Sequence, residues 1–395
     1  MSILEKERKE AVRRYLSGDS IEYICKDLRK SERWLYKWIR RYKSGNPEWF
    51  KNKSRAPNNI PHKTPNHIEE TVIEIRHKLK DNGGFYGPLS IQWEMEDIGY
   101  NYIPHENTIK NILRRNGEVE QEIVSKHYKP RGIPYPKIEA KGRVNLLHEM
   151  DYLGPRYLDG GYRFYSLNIM DVGTHRVTVN ITEDQRGVTA VEKLILSWKK
   201  LGVPQYLKTD NEVCFRGSNK HPRAFGKVIR LCLNLGVEPI FIPLSEPWRN
   251  GCIEKFQDTC QKMFLRKYFF KDTKELKKMA DSFEKRHNEK YRYSYLRGKT
   301  PLQSIKSSGD KIKKLSDKFQ MPTLEERPNK GFIHVIRFIR SDKILQIFGE
   351  KFTVPEKTVH SYIKATIDVQ REKLSLFLQN KLIKEINYSY KILKK

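Results

Sequence analysis

At 395 residues, with 77 Lys and Arg against 48 Asp and Glu, the chain carries a formal charge of +29 and only 37% hydrophobic residues. This excludes one large core and predicts several small domains around a polyanionic partner. No run approaches the roughly 18 apolar residues that cross a bilayer, MSILEKERKE lacks the apolar centre of a signal peptide, and the five cysteines hold no CxxC pair, so a membrane role, a disulfide framework and a zinc cluster are all disfavoured.

Charge is segregated along the chain. Residues 1–60 carry +8 and 311–395 carry +10, whereas 61–120 carry −3 and 151–250 only +4. Nucleic acid gripped from both ends fits this pattern better than a membrane surface does. In residues 1–60 the apolar sets Ala11, Val12, Tyr15, Leu16, then Ile21, Ile24, Cys25, Leu28, then Leu35, Trp38, Ile39, Tyr42 recur at helical spacing. Gly18 with Asp19-Ser20 supplies a stop and an N-cap, and Ser31 caps the third helix. The segment SIEYICKDLRKSERWLYKWIRRY resembles a transposase or repressor helix-turn-helix. Its second helix would enter the major groove with Glu32, Arg33, Tyr36, Lys37 and Arg40.

After the polar linker NNIPHKTP, residues 61–117 read as a second helix-turn-helix-like domain, with Ile109, Ile112 and Leu113 facing inward. Its negative charge weakens a tight grip on DNA and leaves a protein-contact or spacing role equally open. Residues 118–143 read as an extended linker. From 144 to 310 the pattern is three strands, a helix, a strand, a helix, a strand and a helix, the order of a ribonuclease H-like α/β sheet. Asp151 lies at the end of the first strand, Asp210 at the end of the fourth, and Glu254 in the last helix of that series. Carboxylates converging over one sheet edge repel unless cations neutralise them, and oxygen-only ligation favours Mg²⁺, with Mn²⁺ as a substitute. Two such ions would activate an attacking oxygen and stabilise a leaving one. Helical periodicity places Asn250, Asp258 and Gln261 near the Glu254 face, as candidate DNA contacts. Asp159, Asp171 and Asp184 read as turn or cap residues, His148 and Trp248 as packing residues.

The segments MDYLGP, TDNEVCF and PWRNGCIEKF, with RHNEKYRYSYLRGKTPLQSI downstream, resemble the DDE transposase and retroviral integrase superfamily, particularly integrase-core insertion-sequence transposases. The resemblance implies that Asp151, Asp210 and Glu254 are catalytic and hold two Mg²⁺, and that Asn288, Tyr291, Arg292 and Thr300-Pro301 belong to the family's downstream segment. It also implies double-stranded DNA partners (the terminal inverted repeats of a mobile element, and target DNA), a homo-oligomer of at least two chains, and a cytoplasmic, nucleoid-associated location of prokaryotic type. Two departures stand out: Glu212 replaces the glycine usual after Asp-Asn, and the interval from Asp210 to Glu254 is longer than usual, FRGSNKHPRAF being the candidate insertion. Residues 311–395, with alternating apolar positions between short turns, are expected to form a basic C-terminal β-barrel. The expected function is metal-dependent DNA cleavage and strand transfer. The alternative is a domesticated, non-catalytic DNA-binding protein on an integrase scaffold.

Overall fold

The computed structural model describes residues 3–52, 64–119, 132–221, 223–309, 312–320 and 328–389. Most of NNIPHKTP and residues 120–131 of the second linker lie outside these. The chain divides into two compact units, Met1–Asn66 and His67–Lys395.

The first unit holds α1 (Ile3–Leu16), α2 (Ile21–Leu28) and α3 (Glu32–Lys43). Ser20 and Ser31 cap α2 and α3 as the sequence predicts, accepting from the N–H groups of Tyr23 and Trp34. The turn between them has no glycine, so Arg29 itself takes the left-handed conformation, φ 51°, and Lys30 N–H closes onto Cys25 O at 3.0 Å. Ala11, Val12, Ile24, Cys25, Leu35, Trp38 and Ile39 form the buried centre. Arg8 braces it, lying 4.1 Å over the Trp38 ring and donating to Phe50 O at 2.7 Å.

The second unit begins with α4 (Asn66–Asp81), α5 (Pro88–Ile98) and α6 (Glu106–Arg115). Ile109, Ile112 and Leu113 are buried as expected, with Val72, Ile75, Ile91 and Met95. The core follows with β1 (Leu147–Tyr157), β2 (Arg163–Asp171), β3 (Val177–Thr182), α7 (Gly187–Leu201), β4 (Tyr206–Thr209), the short α8 (Val213–Arg216), α9 (Lys227–Leu235), β5 (Glu238–Phe241), α10 (Gly251–Cys260), α11 (Thr273–Lys290) and α12 (Pro301–Ser308). The sheet order β3-β2-β1-β4-β5 has the first three strands antiparallel and β1-β4-β5 parallel. That is the ribonuclease H-like arrangement the element order predicts.

Side chains alternate across β1. Met150 and Tyr152 pack with Trp198, Leu194 and Ile229 beneath α7 and α9. Leu153 packs on the opposite face with Ile253, Phe256 and Phe283 of α10 and α11. Glu149 and Asp151 therefore belong to the α10 face.

The C-terminal barrel is not what the described residues form. The strands β6 (Phe332–Phe338), β9 (Tyr362–Asp368), β10 (Lys373–Leu378) and β11 (Lys381–Asn387) join the core sheet, while β7 (Ile344–Ile347) and β8 (Glu350–Thr353) make a separate hairpin. The junction is parallel pairing of β5 with β6, Ile240 opposite His334 and Phe241 opposite Val335. Among the described residues the result is one open nine-stranded sheet, β11-β10-β9-β6-β5-β4-β1-β2-β3. Val335, Ile363, Ile367 and Leu374 share a core with Trp198 and Val228. Covering the edge of β5 in this way removes the need for closure.

Candidate functional site

The site grows from the pairing of β1 with β4. Leu147 stands opposite Tyr206, His148 opposite Leu207 and Glu149 opposite Lys208. Carried two residues beyond the last paired position, the same register would bring Asp151 level with Asp210, the first residue after β4. Parallel neighbours lie about 4.8 Å apart, so the two positions compare directly. At the first, a carboxylate meets an ammonium: Lys208 Nζ is 2.7 Å from Glu149 Oε1, and Glu149 is 1% exposed. Glu149 Oε2 also accepts from Ile253 N–H at 2.8 Å, and Lys208 Nζ donates to Arg249 O at 2.9 Å. This neutral pair clamps the start of α10 to the sheet. At the second position two carboxylates face one another, and neither forms an ion pair among the described residues.

Their electrostatics follow. Burial first, then the charges of Asp210 and Glu212, push the Asp151 carboxyl up to about 7. Two donors oppose this: Tyr152 N–H at 2.8 Å and Gln257 Nε2 of α10 at 3.1 Å. Burial also raises Asp210, to about 6; the Glu212 N–H at 3.0 Å works against it, the Glu212 charge adds to it, and Arg216 relieves it in part. The extra carboxylate at Glu212 thus acts on both aspartates. Beside them, Asn211 Oδ1 accepts from Arg337 of β6 at 2.6 Å, and Arg337 also donates to Ile242 O at 2.8 Å. The loop carrying Asp210 is therefore held by a C-terminal strand.

Glu254 sits one helical turn before Gln257 on α10, half-buried. Burial, and then the charge of Glu149, hold its carboxyl above the ordinary glutamate range. It neighbours the Glu149 end of the row, and among the described residues no three His, Cys, Asp or Glu side chains come close enough to hold one metal ion. Asp151 feels the charge of Asp210, whereas Glu254 feels that of Glu149; the three expected carboxylates do not form one cluster among the described residues. As a donor set, two half-buried carboxylates with raised pKa values and no ion-pair partner among the described residues fit an oxygen-liganded divalent ion.

Asn250, expected as a DNA contact, is 2% exposed, and its Nδ2 donates to Met150 O at 3.4 Å. It lies in a 3₁₀ turn, Pro247–Asn250, before α10 begins, so the helical period does not extend to it. Gln261 accepts from Arg156 at 2.6 Å and from Arg266 at 3.0 Å. Trp248 is 56% exposed rather than packed. His148 is buried, its pKa driven down to about 3 by burial and then by Arg176. Asp171 and Asp184 are turn residues, accepting from Thr174 and Thr189 hydroxyls at 2.6 Å each. Gln257 and the Glu149–Lys208 pair escaped sequence reasoning.

On the first unit, Arg33, Tyr36, Lys37 and Arg40 are all exposed on the side of α3 away from Leu35, Trp38 and Ile39. Residues 2–48 match a helix-turn-helix family described as a homeodomain-like domain. The N-terminal unit is thus similar to a homeodomain-like domain over nearly all of its described helices. No curated protein matches the chain in sequence. Among solved structures, the HTLV-2 integrase catalytic core domain in complex with magnesium is similar at TM-score 0.33 and 16% identity, over 41% of this chain and 98% of that one. A simian T-cell lymphotropic virus intasome chain is similar at TM-score 0.37 and 15% identity, over 81% and 98%. The BIV integrase catalytic core is similar at TM-score 0.31 and 14% identity, over 41% and 95%. The strand order, not these distant likenesses, establishes the core's fold.

Proposed function

We propose that the protein is a transposase of the integrase-core kind, which binds the ends of a mobile element and cuts and joins DNA with a divalent metal. The observation that carries this is the contrast along β1 and β4: Glu149 is neutralised by Lys208, whereas Asp151 and Asp210, next on the same face, are not. A protein that only bound DNA would lose nothing by neutralising that second position too, which weighs against a non-catalytic scaffold.

In this reading Asp151 and Asp210 hold Mg²⁺ or Mn²⁺, with Glu254 of α10 as the third carboxylate of the set. The metal, when bound, activates the attacking oxygen and stabilises the leaving oxygen of a phosphodiester. Gln257 orients the Asp151 carboxylate, and Arg337 fixes the loop that presents Asp210. Arg33, Tyr36, Lys37 and Arg40 read the element end in the major groove, Arg33 and Lys37 by base or phosphate contact and Tyr36 by packing. Strand transfer needs two ends held together, so the working form is at least a dimer on DNA. That work belongs in the nucleoid.

The test begins with the terminal inverted repeats flanking the gene, which supply a labelled end duplex. Nicked and joined products are expected with Mg²⁺ and not with EDTA. Asp210→Asn should lose both products, by roughly a hundredfold to a thousandfold, the scale of removing one transition-state stabiliser, while retaining duplex binding. Full activity in Asp210→Asn would overturn the assignment.

A further inference from the structure

Where α10 ends, the chain leaves α-geometry for a π-helical turn, Gln261–Leu265, a distortion found mostly at functional sites. The loop that follows holds Phe269 out at 93% exposure. Its neighbour Phe270 packs on buried Phe264, ring centres 5.2 Å apart, and Phe264 stacks on Phe283 at 5.3 Å. Phe269 is thus displayed on a fixed base. From Lys262 to Lys271 the segment KMFLRKYFFK carries Lys262, Arg266, Lys267 and Lys271 and no acid.

Beside Phe269 lies a cavity of about 390 Å³, lined by Arg156, Tyr157, Arg266, Tyr268 and Phe270 among others, with Asp159 as the carboxylate at its wall. Tyr157 is 63% exposed. Arg156 and Arg266 share one acceptor, Gln261 Oε1, and each guanidinium has further N–H groups to offer. Arg156 and Tyr157 extend β1 past Asp151, beyond a bulge between Leu153 and Arg156, and Gln261 lies one turn beyond Gln257. The cavity and the aspartates are thus neighbours along both elements.

We infer that this cavity receives an unpaired nucleobase of a DNA strand, stacked between Phe269 and Tyr157, with the adjoining phosphate on Arg156 and Arg266. A planar base offers the π-face that exposed aromatics bind without regard to sequence, and the guanidiniums match a phosphate in charge and geometry. A fixed apolar wedge on a basic loop is also the device that parts a terminal base pair. The inference rests on the DNA-processing reading of Asp151 and Asp210.

The test uses the full chain in EDTA, so that no strand is cut. Two duplexes of the same sequence are compared by fluorescence anisotropy, one fully paired and one with an unpaired arm carrying 2-aminopurine. The wild type is expected to bind the forked duplex on the order of tenfold more tightly and to quench its 2-aminopurine. Phe269→Ala should abolish the preference and the quench while binding paired duplex as before, and Tyr157→Ala should weaken both. Preference and quench surviving in Phe269→Ala, or absent from the wild type, would overturn the inference. So would a change confined to the mass by light scattering, which assigns Phe269 to a contact between copies of the chain. Strand joining without fork preference refutes the cavity assignment alone; fork preference without strand joining refutes the strand-transfer reading alone.

Discussion

Asp151 and Asp210 hold protons more firmly in the fold than in an unfolded chain, and this fixes how stability responds to pH. With carboxyls pushed up to about 7 and about 6 in the fold, against about 4 for a solvated aspartate, the native state binds the more protons between about pH 4 and pH 7. Their contribution to stability is therefore fully present at the acid end of that window and is lost as pH rises through it. In metal-free buffer, the thermal midpoint of Asp151→Asn should draw above that of the wild type as pH goes from 5 to 8, by about 3 °C at the alkaline end. Added Mg²⁺ should narrow the gap by stabilising the wild type alone. A gap independent of pH, measured by calorimetry, would show that Asp151 is not strained by its neighbours. Asp210 was legible because it directly follows the last residue of β4, a local feature; Asp151, expected at the end of the first strand, lies in the middle of β1, which runs on to Tyr157. Gln257 and Lys208 were not, because their partners are set by a helix packing across a sheet. Asn250 misled because the 3.6-residue period was carried back past Gly251, where the α-helix starts, into the preceding 3₁₀ turn.

The strands after residue 328 show the same limit one level up. Alternation of apolar and polar residues marks a strand but does not name its neighbour, since partner and register are settled by pairing distant in sequence. The expected barrel needed these strands to pair only among themselves; here β5 offers a free parallel edge and β6 takes it. The consequence is energetic dependence in both directions. A chain ending at residue 309 uncovers Phe241, Val228 and Ile229, and it also frees Asn211 from Arg337. That fragment is expected to be insoluble or to lack a cooperative unfolding transition by circular dichroism. A soluble fragment with a sharp transition would show that the C-terminal strands are an accessory layer. The downstream motif residues are likewise structural: Asn288 bonds Val177 through both N–H and C=O, at 3.0 and 2.9 Å, Tyr291 donates to Gly83 O at 2.5 Å, and Thr300 forms a full capping box with Gln303.

At the level of the molecule, the acidic stretch 61–120 finds its use. Arg292 donates to Trp93 O and Asp97, at 3.2 and 3.0 Å, and Arg286 to Asn82 O at 2.9 Å. Lys267 meets the carbonyl end of α4 at Lys80 and Asp81, where a helix favours a cation. Basic side chains of the core dock this module, whatever it meets beyond the chain. The second unit thus includes α4–α6, and the homeodomain-like domain stands as a separate compact unit. Deleting residues 1–66 should leave the thermal midpoint of the remainder within about 2 °C of its value in the full chain, as expected for units that unfold independently. A larger fall would show that the units stabilise each other.

The register that sets Asp151 across from Asp210 has a last consequence, for how such a chain can change. Facing direction flips with every residue along a ladder, so a single insertion or deletion within β1 or β4 would send one of the two aspartates to the α7 side of the sheet. The connection from Asp210 to α10, which includes FRGSNKHPRAF, obeys no such parity. Length is free to drift between the elements and is forbidden within them.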